Sequence, residues 1–125
     1  MEWVDTGKPK GISLCMITKN EAINPAGGLQ TFLEHHLPMV DEVVIVDTGS
    51  TDLTKRIATD FARVRLYTYE WDGSFSNARN YSLDQAKYDH ILILDADEML
   101  QHDPTNIRSS LPTKVRKCLG YQFEF

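Results

Sequence analysis

Long hydrophobic runs, an export signal and a cysteine framework are all missing from this 125-residue sequence. No apolar stretch approaches the ~18 residues that a membrane-spanning helix needs, and residues 1–5 lack the pattern of a signal peptide. The two cysteines, Cys15 and Cys118, lie far apart, and Cys15 stands inside an apolar run. We therefore expect buried thiols in a reducing compartment rather than a disulfide, which predicts a cytoplasmic protein.

Positive charge and glycine-rich motifs are also scarce. The net charge is −5, which argues against nucleic acid as a partner. The first predicted strand is followed by Thr18-Lys19-Asn20-Glu21. This loop is not the G-x-G-x-x-G of dinucleotide-binding enzymes, and it is not the glycine-rich, basic loop that is usual in nucleotidyltransferases. Both classes are therefore disfavoured.

The residues that are present alternate between strand and helix patterns. Apolar runs predict strands at Ile12–Ile17, Val43–Val46 and Ile91–Leu94, and a mixed run predicts another at Val64–Tyr69. Helical spacing predicts helices at Leu29–Leu37, Leu53–Ala62 and Phe75–Lys87. The last two are expected to bury Leu53, Ile57, Ala58 and Phe61, and Phe75, Ala78, Ser82 and Ala86. This order predicts one α/β domain with a mostly parallel sheet and helices on both faces.

Carboxylates follow the last of these strands directly, in Asp95-Ala96-Asp97-Glu98. Ligands bind at the carboxyl edge of open α/β sheets. Clustered carboxylates repel one another unless a cation holds them, and oxygen ligands suit Mg²⁺ or Mn²⁺. A second strand ends at Asp47, so polar loops are expected to meet at this edge. The sequence predicts a divalent-metal site, with a solvated turn that caps a following helix as the alternative.

Four segments taken together carry a resemblance to a known family. They are Met16–Glu21, Val44–Asp52, Asn77–Asn80 and Leu94–Glu98. Their order and spacing resemble family 2 glycosyltransferases, over roughly residues 10–100. The resemblance is to the N-terminal, nucleotide-sugar-binding half of a Rossmann-like GT-A fold. The stretch Trp71–Asn80 is similar to a bacterial branch that includes peptide and lipopolysaccharide-core glucosyltransferases.

The resemblance implies a role for the loops after the first two strands. Thr18 and Asn20 would line the nucleobase and ribose. Asp47 matches an aspartate that hydrogen-bonds the base, with a turn or helix-cap carboxylate as the alternative interpretation.

The resemblance also implies a phosphate and metal end of the site. Asp95 and Asp97 match the D-x-D pair, in which the second aspartate ligates the metal and the first contacts ribose or the metal and its water. Arg79 matches an arginine near the nucleotide phosphates, a role that a planar guanidinium suits. The alternative for Arg79 is a surface residue paired with Asp84 or another carboxylate.

The implied activity is transfer of a sugar from a nucleoside-diphosphate sugar to an acceptor hydroxyl or other nucleophile. A UDP-sugar is the first candidate for the donor. The acceptor would be a glycan, lipid or peptide, as in cell-wall biogenesis. The reaction would be metal-dependent and inverting. A location at the inner face of the membrane is a variant of the cytoplasmic expectation. The alternative function is a truncated nucleotide-binding module without turnover.

The C-terminal residues generate three further expectations. No residue of the sequence matches the family's catalytic base, so efficient transfer by residues 1–125 alone is not expected. The alternating Tyr121–Phe125 reads as a half-buried strand, which predicts an incomplete sheet in the N-terminal portion of a longer domain. An uncovered aromatic strand favours a homo-oligomer.

Overall fold

Strands and helices alternate along residues 9–100, the part of the chain that the computed structural model describes. The strands are β1 (Ile12–Thr18), β2 (Glu42–Asp47), β3 (Val64–Thr68) and β4 (His90–Ile93). The helices are α1 (Leu29–His36), α2 (Thr54–Thr59) and α3 (Phe75–Asp84), with a 3₁₀ turn at Leu37–Met39. None of these helices is long and apolar enough to cross a membrane. Cys118 and the strand predicted at Tyr121–Phe125 lie outside the described residues.

The four strands form one sheet in the order β3-β2-β1-β4, and every neighbouring pair is parallel. Cys15 of β1 stands opposite Val44 of β2 on one side and opposite Ile93 of β4 on the other. Parallel pairing brings the carboxyl ends of all four strands to one edge, where Thr18 lies opposite Asp47. The predicted α/β fold with a mostly parallel sheet is confirmed.

Each face of the sheet packs against its own helices. One hydrophobic cluster joins Leu14, Met16 and Ile45 of the sheet to Phe32 and Leu33 of α1 and Ala58 of α2. The other joins Cys15, Val44, Ile91 and Ile93 to Leu83 of α3 and the adjoining Ala86. Successive residues of β1 belong to opposite clusters because side chains alternate across a strand. Helices therefore cover both faces, as predicted, and Cys15 is a buried thiol.

The second helix is shorter than its sequence pattern predicts. The carboxylate of Asp52 accepts hydrogen bonds from the backbone N–H and the hydroxyl of Thr54, and this turn delays the start of α2. Leu53 consequently precedes the helix and is 63% exposed. Its predicted place on the core face is wrong, whereas Ala58 is buried as expected.

The third helix begins at Phe75 as predicted, but its first residue is exposed and its C-terminal end comes earlier than predicted. Ser74 caps its N-terminus by accepting a hydrogen bond from the N–H of Asn77 at 3.1 Å. Phe75, the first helical residue, is 60% exposed rather than part of the buried stripe. The helix ends at Asp84 instead of Lys87, and Ala86 reaches the core from beyond its C-terminus.

A buried carboxylate joins three elements at the amino end of β2. Glu42 accepts hydrogen bonds from the Ser13 hydroxyl at 2.6 Å and from the Lys87 N–H at 2.7 Å. The guanidinium of Arg65 forms an ion pair with the same carboxylate at 2.6 Å. The Glu42 side chain is only 7% exposed, so loss of its charge would leave buried donors without a full set of acceptors.

We predict that Glu42→Gln lowers the free energy of unfolding by about 2–4 kcal/mol, since a buried pair that loses one charge leaves the other uncompensated. Urea unfolding at pH 7 measures the effect. The same change at exposed Glu70 is the control and should shift the free energy by less than about 0.5 kcal/mol. An equal loss in both variants would contradict the prediction.

Two consecutive histidines at the end of α1 contact the backbone N–H and the backbone carbonyl oxygen of Leu100, beyond β4. The Leu100 N–H donates to Nε2 of His36 at 3.2 Å, and Nε2 of His35 lies 2.7 Å from the Leu100 carbonyl oxygen. Nδ1 of His36 lies 2.9 Å from the Phe32 carbonyl oxygen, so its proton belongs on Nδ1. His36 is fully buried. Burial lowers the pKa of His36 from 6.5 to about 4, against the Phe32 carbonyl, which raises it, and with a smaller lowering from His35.

We predict that His36 makes stability fall with acid. Its pKa is lower in the folded than in the unfolded chain, so the unfolded chain binds the extra proton. The contribution is fully present above pH 6.5 and is lost as the pH falls towards 4, on the order of 3 kcal/mol. Urea unfolding at several pH values measures it against His36→Leu, which removes this titration and leaves the carboxylates. Parallel pH curves for the two proteins would disprove it.

Candidate functional site

A cleft of about 460 Å³ opens at the carboxyl edge of the sheet. The end of β1 contributes Ile17 and Thr18 to its lining, and the loops after β1 and β2 contribute Lys19, Glu21 and Thr48. The segment from the end of β3 into α3 contributes Trp71, Phe75 and Arg79, and the turn after β4 contributes Asp95, Ala96 and Asp97. The strand ends therefore converge as predicted, at the edge where open α/β sheets bind ligands.

Asp47 lies beneath this cleft and holds the loop that follows β2. One carboxylate oxygen accepts from the hydroxyls of Thr18 and Ser50, and the other accepts from the N–H groups of Gly49 and Ser50 at 3.1 and 2.9 Å. These four hydrogen bonds leave Asp47 2% exposed. The structure brings Thr18 and Asp47 together, but only Thr18 is among the lining residues. Contact of Asp47 with a nucleobase stays a prediction.

Asn20 joins the loop after β1 to the loop after β2. Its N–H donates to the Ser50 hydroxyl at 2.8 Å, and its Oδ1 accepts from the N–H groups of Thr51 and Asp52 at 2.8 and 3.4 Å. The backbone of Asn20 has φ 55°, a left-handed conformation that asparagine tolerates better than most residues. The predicted contact with ribose is therefore untested, and the visible role of Asn20 is to fix the cleft wall.

The turn after β4 carries three exposed carboxylates, of which two line the cleft. Asp95 and Asp97 are exposed and line the cleft. Glu98 instead accepts a hydrogen bond from the Asp95 N–H at 2.9 Å and donates its own N–H to the Asp95 carbonyl oxygen at 3.0 Å. From the loop after β1, the side-chain amide of Asn24 donates to the Ala96 carbonyl oxygen at 3.1 Å. The backbone that carries both aspartates is thus braced.

Arg79 connects α3 to this acidic turn. Its residue is 6% exposed, and its guanidinium lies 3.4 Å from a carboxylate oxygen of Asp95. Arg79 therefore pairs with Asp95, a carboxylate other than Asp84, but it is buried and not the surface residue of the alternative interpretation. A positive charge and two carboxylates face the same cleft.

The donor set suits a hard divalent cation. Among residues 9–100, no three histidine, cysteine, aspartate or glutamate side chains are grouped so that they could hold a metal by themselves. Mg²⁺-like ions are commonly bound through one or two carboxylates, with water and substrate phosphate completing the shell. The exposed oxygens of Asp95 and Asp97 fit that arrangement, although metal binding itself stays a prediction.

Sequence reasoning missed two aromatic lining residues, Trp71 and Phe75. It placed Phe75 on a buried helix stripe and gave Trp71 no role. A usable signal was present, because two large aromatic residues four positions apart are separated only by Asp72, Gly73 and Ser74. Such polar neighbours are more typical of an aromatic residue at a binding site than of one in the core.

The chain is similar to curated proteins along most of its length. It is 43% identical over 101 residues to a TPR repeat-containing protein of Synechococcus elongatus. This match covers 80% of this chain and 24% of that protein. It is 30% identical over 97 residues to a poly-beta-1,6-N-acetyl-D-glucosamine synthase of Staphylococcus epidermidis. That match covers 75% of this chain and 23% of the synthase. The chain therefore spans about a quarter of the length of these curated relatives.

The fold is similar to that of a solved protein structure. The fragment of TarS comprising residues 1–349, from S. aureus and in complex with UDP, matches with 25% identity and a TM-score of 0.59. The match covers 79% of this chain and 31% of that one. The model of the family described as "Glycosyl transferase family 2" matches residues 13–108. The chain belongs to glycosyltransferase family 2.

Proposed function

We propose that the cleft binds a nucleoside-diphosphate sugar, with a UDP-sugar as the first candidate, for transfer of the sugar to an acceptor nucleophile. The observation that carries this proposal is the ion pair between Arg79 and Asp95 at a cleft that Asp97 also lines. One cation and two open carboxylates together suit a diphosphate and a divalent metal. The TarS fragment with UDP supports the choice of uridine.

The chemistry needs positive charge at the leaving group. When the anomeric carbon is attacked, negative charge grows on the departing diphosphate, and fixed positive charge stabilises that change. Arg79 would donate hydrogen bonds to the phosphate oxygens from a mostly buried position. Asp95 and Asp97 would hold Mg²⁺ or Mn²⁺, which supplies further positive charge when bound. The Arg79–Asp95 pair would loosen to let the guanidinium face phosphate.

The nucleoside would occupy the other side of the cleft, over the ends of β1 and β2. Thr18 lines this wall, and Asp47 and Asn20 fix the loops beneath and beside it. The proposed base contact of Asp47 requires one of its four present hydrogen bonds to be shared or exchanged. The proposed ribose contact belongs to Asn20 or Asp95.

The remaining details are proposals from the family resemblance. The acceptor would be a glycan, lipid or peptide, the reaction inverting, and residues 1–125 the N-terminal portion of a longer transferase domain. The cytoplasmic location, the role in cell-wall biogenesis and the homo-oligomer stay predictions. A binding module without turnover is less favoured, because the family is one of transferases.

We predict that metal and UDP bind cooperatively. A cation between the carboxylates and the diphosphate offsets repulsion that UDP meets without it, so UDP should bind more tightly in Mn²⁺ than in EDTA. Asp97→Asn should weaken Mn²⁺-dependent UDP binding about ten-fold or more, the loss of one charged contact. Isothermal titration calorimetry of the 125-residue chain measures both effects.

The matched control for that substitution is Asp84→Asn, which changes an exposed carboxylate at the C-terminal end of α3. It removes the same charge and should leave UDP affinity within about two-fold. Equal UDP affinity in Mn²⁺ and EDTA, or an equal loss of UDP affinity in the two variants, would contradict the assignment of a metal site.

We predict that Arg79 serves the phosphates rather than the nucleoside. Arg79→Ala should weaken UDP about ten-fold or more and uridine by less than about three-fold, because only UDP presents a charged acceptor. Arg79→Lys should recover part of the UDP affinity. Arg56→Ala, which removes an exposed arginine from α2, is the control. The same fractional loss for UDP and uridine would refute the assignment, and thermal unfolding checks that each variant is folded.

A further inference from the structure

An exposed aromatic pair stands at the wall of the cleft that the segment leading from β3 into α3 forms. Trp71 is 41% exposed and Phe75 is 60% exposed, and both line the cleft. Their ring centroids are 4.8 Å apart at an interplanar angle of 67°, an edge-to-face contact of favourable geometry. Large apolar side chains left together at a cleft are typical of a ligand site rather than of an ordinary surface.

The loop that carries Trp71 is held by a network of hydrogen bonds. The carboxylate of Asp72 accepts from the Tyr69 hydroxyl at 2.8 Å, from the Ser74 N–H at 2.9 Å and from the Asn77 side-chain amide at 3.1 Å. These partners come from the end of β3, the helix cap and the first turn of α3. The residue next to Trp71 is thereby tied on three sides, which limits how far the indole can move.

The strand order places this pair away from the acidic turn. Trp71 follows β3 and the acidic turn follows β4, and these strands form opposite margins of the four described strands. Arg79 lies one helical turn beyond Phe75 and pairs with Asp95. A diphosphate held at Arg79 would therefore have the aromatic wall on one side and Asp97 on the other.

We propose that Trp71 is the surface on which the nucleobase of the donor stacks, with Phe75 supporting the indole and Asp72 acting as a positioning residue. This inference rests on the proposed function and specifies how that site recognises its donor. A base presents a flat π-face, and stacking on an aromatic side chain stabilises it whichever base is present. The polar side chains over β1 and β2 would then contact the base edge.

The sugar end of the donor fits this wall less well. The transferred sugar must lie where its anomeric carbon can meet an acceptor and where the leaving phosphate can meet positive charge. That position is near Asp95 and Asp97, which follow β4, whereas Trp71 follows β3 at the other margin of the described strands. The nucleoside is the part of the donor that remains for the aromatic side.

The test measures affinity by calorimetry in Mn²⁺ for three main probes, UDP, uridine and inorganic pyrophosphate, and for GDP as a second nucleotide. Trp71→Ala should weaken UDP and uridine about ten-fold, and GDP by a similar factor, because stacking discriminates little between bases. Pyrophosphate affinity should stay within about two-fold, since it has no base. Trp71→Phe should recover most of the affinity, and Leu53→Ala, at an exposed apolar residue that does not line the cleft, should change none of the three.

Fluorescence gives a second readout. In a Trp3→Phe background, Trp71 is the remaining tryptophan of the chain, so its emission should be quenched by UDP and unaffected by pyrophosphate. Asp72→Ala should weaken UDP and uridine several-fold and reduce that quenching, with pyrophosphate unchanged.

Three outcomes would overturn the inference. Wild-type affinity of Trp71→Ala for UDP and uridine would exclude stacking while leaving the proposed function intact. An equal loss for pyrophosphate would mean that Trp71 acts on the phosphates or on folding. Absence of UDP binding by the wild-type chain would remove the proposed function and this inference together.

Discussion

The parallel pairing of β1 with β2 is the interaction on which the rest of the structure depends. The register is marked at both ends by a hydroxyl and a buried carboxylate, since Ser13 lies opposite Glu42 and Thr18 lies opposite Asp47. A slip of one residue would reverse every side chain of one strand and break both contacts. The two pairs therefore specify one register inside a sheet whose apolar residues alone would tolerate others.

The same pairing builds the candidate site. Asp47 is held at the end of β2, and through Ser50 and Asn20 it fixes the loops that follow both strands. β4 lies on the other side of β1 and delivers Asp95 and Asp97 to the same edge. Arg79 reaches that edge from α3, which lies on the face of the sheet opposite to α1 and α2. The charges of the site thus come from separate segments that the central strands bring together.

Much of this arrangement could be predicted from local signals. Unbroken apolar runs predicted the strands, their alternation with helices predicted the parallel sheet, and Asp95 and Asp97 follow a strand directly in the sequence. The remainder depends on contacts between distant residues. Asp52 delays α2 and exposes Leu53, an effect of one side chain that helical spacing cannot reveal. The grip of His35 and His36 on Leu100 joins residues more than 60 positions apart.

The acidic turn is attached to three different elements of the fold. Arg79 of α3 holds Asp95, Asn24 of the loop after β1 holds the Ala96 carbonyl, and His36 of α1 holds the Leu100 N–H. The backbone that bears Asp95 and Asp97 is therefore ordered before any ligand arrives. Ordering a residue costs about 1–2 kcal/mol of conformational entropy, and here folding has already met that cost. A ligand that reaches these carboxylates keeps most of its interaction energy as affinity, because the protein gives up little freedom when it binds.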